Sequence, residues 1–269
     1  MPTVKPSTFV KEHAPWSISK AGVALNCPHR FYLQYIKKVR LDLPPNPDSL
    51  VGTTVHKALE LALTDRPLNR CLELAIAENK LTTNEIDRVM GFEVSAQNFI
   101  RKFNAYRKKH NGGEPQLEKR FAIDFDGNPT KFFDNKGFLR GVIDLYMLIQ
   151  DKPHAVILDH KTGKEHDLNF YDPQFNSYLL LLKAQRPQLQ GIVVGINFLL
   201  TDNVEFKNRG KLCDVRDVTP IFEEMITYLN NATMDTHKHT VCNKGPLCGW
   251  CDYISVCPAH SDGKNGRHE

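Results

Sequence analysis

The chain has 269 residues, 41% of them hydrophobic, with a formal net charge of +4, which is enough apolar material for one large domain or two small ones without covalent support. So small a charge excess excludes any inference of polyanion binding from net charge alone, while it permits a local basic groove. No apolar run reaches bilayer-spanning length, the first residues lack the apolar stretch of a secretion signal, and seven cysteines are an odd count; these argue against a membrane span, export and a full disulfide framework, and a cytoplasmic protein with reduced thiols is expected.

In chain order, residues 1–15 read as a loosely ordered arm. Ser17 or Ser19 is placed to cap a short helix over 21–26, and Pro28 suits the first turn of a second, HRFYLQYIKKV. DLPPNPDS is a proline-rich loop. Helices are predicted from Thr53 or Thr54 to about Leu63, over 69–80, and as one long element between Asn84 and His110. After NGGEP the texture changes. Residues 117–125, 137–149 and 154–161 are rich in β-branched and aromatic types and are separated by the turn sequences DGNP and DNKG, the pattern of strands. Residues 172–185 return to helical spacing, GIVVGINFLL (191–200) reads as a buried strand, and 216–231 as a last helix. A cysteine-rich coil and the polar tail HSDGKNGRHE, expected to be disordered, end the chain. Helices followed by strands, a helix, a strand and a helix predict an α/β fold: a mixed sheet flanked by helices, with a helical lobe built from the first hundred or so residues.

Two groups of residues point to chemistry. In the first, Asp144 interrupts the apolar strand GVIDLYM, where a carboxylate is costly unless a cation, a donor or a proton compensates it. Asp159 follows the run AVIL in the next strand. Lys161, two residues on, shares its face, while His160 points the other way. If the two strands are neighbours, Asp144 and Asp159 converge. Two carboxylates so placed suit Mg2+ or Mn2+, and a lysine beside them suits a developing phosphate charge. His56, on a helix, offers an imidazole ligand that favours Mn2+. The alternative for each residue singly is structural: a turn with an Asp–Lys pair, a buried acid, a packed histidine.

In the second group, Cys248, Cys251 and Cys257 are spaced C-x2-C-x5-C, and Cys27 precedes Pro28. A C-x2-C pair binds Zn2+ or an iron–sulfur cluster, and with a single pair the remaining ligand must come from elsewhere in the chain. Cys242 is a spare thiol or an alternative fourth ligand; Cys71 and Cys213 read as buried thiols.

The stretches CPHRFYLQYI, GTTVHKALE, GVIDLYM, ILDHKTGK and QFNSY, in that order, resemble the PD-(D/E)XK nuclease superfamily and specifically its RecB-like exonuclease branch. The resemblance spans Ser17 to Pro258 and implies a restriction-endonuclease-like α/β fold. It implies a single domain over 1–258, with a helical lobe at about 17–110, a nuclease core at about 114–235, a cluster-binding region at 242–258 plus Cys27, and a polar tail at 259–269. By the same resemblance, Asp144, Asp159 and Lys161 are catalytic, supported by Gln174 and Tyr178, which share a helix face at i and i+4. His56, Asp144, Asp159 and the carbonyl of His160 are the implied ligands of Mg2+ or Mn2+, and Glu118 stands where this branch often has a glutamate. The cysteine pattern resembles the 4Fe-4S site of AddB-type helicase–nuclease subunits and of CRISPR-associated RecB-like exonucleases. That likeness implies Cys27, Cys248, Cys251 and Cys257 as cluster ligands, with zinc as the competitor. The implied activity is metal-dependent exonucleolytic hydrolysis of DNA, on single strands or frayed ends, in recombination, repair, phage DNA processing or CRISPR adaptation. A separate helicase would be a partner, since no phosphate-binding loop of the G-x-x-x-x-G-K-[ST] kind is present. The alternative is a non-catalytic DNA-end-binding subunit. Residues 29–40 and 101–120 are locally basic and are candidate DNA contacts, with Phe31, Tyr32 and Tyr35 as candidate stacking residues.

Overall fold

The computed structural model describes residues 3–232 and 242–260. The helical part opens with α1 (Thr8–Glu12), α2 (Ile18–Asn26) and α3 (Pro28–Phe31). Ser17 caps α2 by accepting the Lys20 N–H at 3.2 Å. The segment before it is not a loose arm. Ser7 caps α1, Val10 is fully buried, and the Trp16 indole donates to the Val10 carbonyl at 2.8 Å. Nor does HRFYLQYIKKV form one α-helix. It passes into a π-helical turn at Tyr32–Ile36, closed by the Lys37 N–H on the Tyr32 carbonyl at 2.8 Å, and stops at Lys38, whose φ is 54°.

The lobe is completed by α4 (Pro47–Ala62), α5 (Leu68–Asn79), α6 (Thr83–Met90) and α7 (Glu93–Lys109). α4 starts earlier than the apolar pattern predicts. Asn46 accepts the N–H groups of Asp48 and Ser49 at 2.9 and 3.1 Å, and Pro47 occupies the first turn, where its missing N–H costs nothing. The single long helix expected between Asn84 and His110 is two helices. A capping box between Thr82 and Glu85 starts α6, and the break falls at Gly91–Phe92, beside a glycine that weakens any helix interior.

The sheet contains β1 (Gln116–Ile123), β2 (Pro129–Thr130), β3 (Leu139–Leu148), β4 (His154–Lys161), β5 (Gly191–Phe198) and β6 (Asn203–Phe206), in the order β2–β1–β3–β4–β5–β6. A short β7 (Cys213–Asp214) also pairs with β5. Only β4 and β5 run parallel, and α8 (Asp172–Gln185) makes the crossover between them. The last α-helix among the described residues is α9 (Thr219–Asn231). This is the mixed, helix-flanked sheet expected from the sequence.

Three apolar clusters hold the layers. α4, α5 and α7 pack on one face over Leu145, Met147, Val156 and Leu158. α8 packs on the other over Ile143, Ile157 and Val194. A third cluster joins the N-terminal helices to α9 through Trp16, Phe31, Leu181 and Met225. Phe31, a candidate base-stacking residue, is instead core, stacked on Trp16 with ring centroids 5.7 Å apart. No described helix is long and apolar enough to cross a membrane. The tail over 261–269, expected to be disordered, lies outside the described residues.

Candidate active site

β3 and β4 are antiparallel neighbours. The register pairing Leu145 with Leu158 brings Asp144 and Asp159 opposite one another at the next step, and the register of β1 on β3 places Glu118 opposite Asp144. Three carboxylates therefore stand in a row across three strands. The period-two rule fails along this row. By strict alternation Ile143 and Leu145 share a face, yet Leu145 packs beneath the helical lobe and Ile143 beneath α8. The same switch separates Leu117 from Phe121 in β1, and Glu118 between them has a φ of 49°. A left-handed glutamate inside a strand costs roughly 1–2 kcal/mol, the sort of local strain that gathers at functional sites.

α4 supplies the imidazole. Gly52, one turn before His56, lets the helix close on the end of β4, where an added Cβ would lie 3.2 Å from Thr162 Oγ1. His56 Nε2 is 3.0 Å from the His160 carbonyl oxygen. A carbonyl can only accept, so Nε2 carries a proton. Nδ1 faces the carboxylates, 3.4 Å from Asp144 Oδ2 and 3.9 Å from Glu118 Oε1. This is the arrangement that orients a histidine ligand: one ring nitrogen tied to the backbone, the other free toward a cation. Burial would depress the His56 pKa, but Glu118, Asp144 and Asp159 outweigh it and raise it. Asp144 is pushed up to about 7, chiefly by burial and then by Asp159. Its Oδ2 accepts the His160 N–H at 2.8 Å.

Asp159 is held from the other side of the sheet. Its Oδ1 accepts Tyr178 Oη at 2.6 Å and Gln174 Nε2 at 2.8 Å, and Gln174 also donates to Tyr178 Oη at 2.7 Å. Lys161 Nζ lies 2.6 Å from Asp159 Oδ2, but not along a hydrogen-bonding direction, so this buried oxygen has close charge and no aligned donor. Burial would lower the Lys161 pKa; Asp159 and Asp144 together raise it. Burial, then the same two carboxylates, drive the Tyr178 hydroxyl well above its ordinary range, so it stays a donor.

The sequence-selected residues thus converge, with a change of emphasis. The tight set of potential ligands is His56, Glu118 and Asp144, whose ligand atoms lie within 4.8 Å of one another. Asp159 sits beside that set with its oxygens turned toward Gln174, Tyr178 and Lys161. The His160 carbonyl accepts from His56, and its ring points to the far side, as expected, buried against Phe99 and 3.0 Å from Asn197 Nδ2. Burial holds the His160 ring well below the usual histidine range. Sequence reasoning missed Asn197. Its signal was a polar residue inside the otherwise apolar run of β5.

A divalent cation fits the donor set. Three oxygen or nitrogen groups face one point, and Asp144 resists ionisation without a compensating charge.

The cysteines meet at the other end of the molecule. Cys27, Cys242, Cys248, Cys251 and Cys257 all line one cavity of about 290 Å3, between the α2–α3 junction and the C-terminal segment. Within it the tight ligand set is His29, Cys242 and Cys257, with the Cys242 and Cys257 sulfurs 3.4 Å apart. Burial and the neighbouring thiol push Cys242 up to about 11. Crowded thiols of this sort ionise readily only around a metal. Cys71, in contrast, is wholly buried in the helical lobe, as expected of an inert thiol.

Among solved structures, the chain is similar to a "putative exonuclease" from Eubacterium rectale, with a TM-score of 0.46, 12% identity, and coverage of 97% of this chain and 94% of that one. It is also similar to the protein SSO0001, with a TM-score of 0.30, 14% identity, and coverage of 90% and 95%. No curated protein matches by sequence. The sequence profile of the PD-(D/E)XK nuclease superfamily matches residues 15–258, a span holding both the carboxylate row and the cysteine cavity, and the chain belongs to that superfamily.

Proposed function

We propose that the protein is a metal-dependent DNA exonuclease of the RecB-like branch, acting on single strands or frayed ends. The observation that carries the reading is the row Glu118–Asp144–Asp159 with Lys161 and His56 closing on it. His56, Glu118, Asp144 and Asp159 would hold Mg2+ or, given the imidazole, Mn2+. When bound, the cation supplies Lewis acidity and a site for activating water.

The chain's own residues do the rest. Asp159 is fixed through Oδ1 by Tyr178 and Gln174, so its other oxygen keeps one direction. That oxygen holds the Lys161 ammonium, which also lies 5.6 Å over the Tyr171 ring, at the edge of the site. There Lys161 places a fixed positive charge where a phosphodiester in transit to a pentacoordinate state gains negative charge. The His160 carbonyl fixes the His56 ring, leaving Nδ1 to face the reacting side.

In the same reading, Cys27, Cys248, Cys251 and Cys257 hold a 4Fe-4S cluster of structural role, with zinc as competitor and Cys242 as the alternative ligand inside the same cavity. Brown colour and iron content after anaerobic purification, lost in Cys251→Ser, support the cluster; stoichiometric zinc in a colourless protein excludes it. A helicase, recombination or CRISPR adaptation protein is the expected partner class.

The test of the activity is incubation of anaerobically purified protein with end-labelled single-stranded DNA and Mn2+, alongside Lys161→Ala. Progressive shortening by the wild type alone supports the reading, and the labelled end gives its polarity. Intact DNA with folded, metal-loaded protein sinks it in favour of a DNA-end-binding subunit.

A further inference from the structure

Two arginines on the sheet share one aromatic ring. The guanidinium of Arg120 (β1) lies 5.9 Å from the centre of the Phe132 ring, and that of Arg140 (β3) lies 5.4 Å from it. The register places Arg120 opposite Val142 and Arg140 opposite Ala122, so both arginines project from the same face. That face is opposite α8, because an added Cβ at Gly141, on the alternate face, would meet Leu181 and Ser177 of that helix. It is the face on which α4 carries His56.

Among the described residues, no carboxylate comes within ion-pair distance of either arginine, whereas Arg30, Arg70, Arg88, Arg107 and Arg216 each have such a partner and Arg40, Arg66, Arg101, Arg186 and Arg209 do not. Lys20 adds to the excess. Its ammonium lies 5.0 Å over Trp16 and 5.3 Å over Tyr35, donating to backbone carbonyls and pairing with no acid. Burial, then the positive charge of Arg140, lowers its pKa to about 8. Like charges held together without a counter-ion raise the local potential and favour an anion. Next to this group, Phe133 is 74% exposed, its ring 5.1 Å from that of Phe132 in a T-shaped contact. An exposed aromatic beside unpaired guanidiniums suits a chain that carries both phosphates and flat bases.

We infer that Arg120, Arg140 and Phe132 form a clamp for the phosphodiester backbone of a single nucleic-acid strand, with Phe133 as a base-stacking platform, leading into the carboxylate row. Along the strands the two arginines stand about 7 Å from Glu118 and about 13 Å from Asp144 respectively, at roughly 3.3 Å per residue. A strand held there passes the metal ligands in sequence. This inference rests on the nuclease reading for its direction, but not for its existence.

Binding of a fluorescent oligothymidine, followed by anisotropy in EDTA so that nothing is cleaved, tests it at several salt concentrations. Arg120→Gln/Arg140→Gln is expected to bind at least tenfold more weakly, with the slope of log affinity against log salt shallower by about 1.4, or about 0.7 for each phosphate released. Phe133→Ala is expected to lose about tenfold with the slope unchanged, because stacking releases no counterion. In DNA shortening, the double variant should raise KM and leave kcat within about twofold. Wild-type affinity and slope in a double variant that melts normally would overturn the clamp, as would a wild type that binds no oligothymidine. Equal capture of poly-glutamate, lost in the same variant, would overturn it in favour of an acidic protein partner. DNA shortened by the wild type with an unchanged KM in the double variant sinks the clamp and leaves the nuclease. Oligothymidine held through these arginines but never shortened with any divalent metal sinks the nuclease and leaves the clamp.

Discussion

Tyr178 makes one hydrogen bond to Asp159 and receives another from Gln174, all inside the core. Tyr178→Phe keeps the ring and removes both bonds, the one given to Asp159 and the one received from Gln174. A stability loss of about 1–2 kcal/mol is expected, seen as a Tm lower by roughly 2–6 °C for a chain of this size. DNA shortening should slow about tenfold, because Asp159 Oδ1 is then oriented by Gln174 alone. A residue that merely filled space would lower Tm without touching the rate.

The pair His56–Asp144 makes the metal-free protein sensitive to alkali. Asp144, raised to about 7, keeps in the fold a proton that the unfolded chain releases near pH 4, so the fold bears an increasing cost as pH climbs from about 4 to about 7. His56, raised as well, contributes stability fully present below its unfolded pKa and lost as pH rises through its folded one. Both act in one direction. Thermal denaturation in EDTA should give a lower Tm at pH 8 than at pH 6. Asp144→Asn should flatten that difference, and Mn2+ should restore Tm most strongly at the higher pH. A Tm that rises from pH 6 to pH 8 in the metal-free wild type would contradict this account.

At the scale of elements, the strand pair β1–β3 carries the least legible feature. β-Branched and aromatic residues between turn sequences announced both strands, and Asp144 stood out as a carboxylate in an apolar stretch. Nothing in the local pattern announced that the two strands exchange faces at Glu118 and Asp144. That switch is a property of pairing, and the cost of a left-handed glutamate appears only once the strands are registered. Glu118→Gly is therefore expected to leave stability within about 1 kcal/mol of wild type, since relief of the backbone offsets the added chain entropy. DNA shortening should still fall at least tenfold. A large loss of Tm would show the backbone to be unstrained.

β5 offers the opposite case. Its run of apolar residues was read correctly as buried, yet the pattern hid how tightly β6 crosses it. An added Cβ at Gly195 would lie 2.6 Å from the Glu205 carbonyl oxygen, a backbone atom that cannot swing away. Gly195→Ala should cost about 1–3 kcal/mol, measured by urea denaturation. The helical lobe was legible in part. α4 and α5 followed their apolar stripes, but the cap at Asn46 and the break at Gly91 were set by single polar and flexible residues whose effect depends on what packs nearby.

Over the whole molecule, the sequence order of helices, strands and crossover helix sufficed for the architecture, because one parallel pair joined through α8 leaves few ways to place the remaining strands. The cysteine region was legible as a grouping and not as a ligand set. Spacing selected Cys248, Cys251 and Cys257, the family resemblance implied Cys27, and Cys242 stood as an alternative ligand, whereas His29 is brought in only by the chain's path. The C-terminal segment is tied to the N-terminal helices by other bonds too. Asn243 donates to the Asn26 carbonyl at 3.1 Å, Tyr253 to that of Val39 at 3.3 Å, and Arg30 faces Asp252 at 3.7 Å. If the thiols hold a metal as proposed, a chelator should make this segment the first site of proteolysis while the sheet core survives, a result that limited digestion and mass spectrometry would show.

The cavity of thiols has a consequence for how the protein is made. Cys27 leaves the ribosome 215 residues ahead of Cys242. At about 5–20 residues per second the two are separated by roughly ten to forty seconds of synthesis. Throughout that interval Cys27 has none of the other thiols of the cavity, and any inorganic centre shared between them can be assembled only after translation has passed the last cysteine. On the proposed cluster reading maturation is ordered: the sheet and its carboxylates can form on the emerging chain, whereas a centre held by Cys27 and the C-terminal thiols closes only once both have been made.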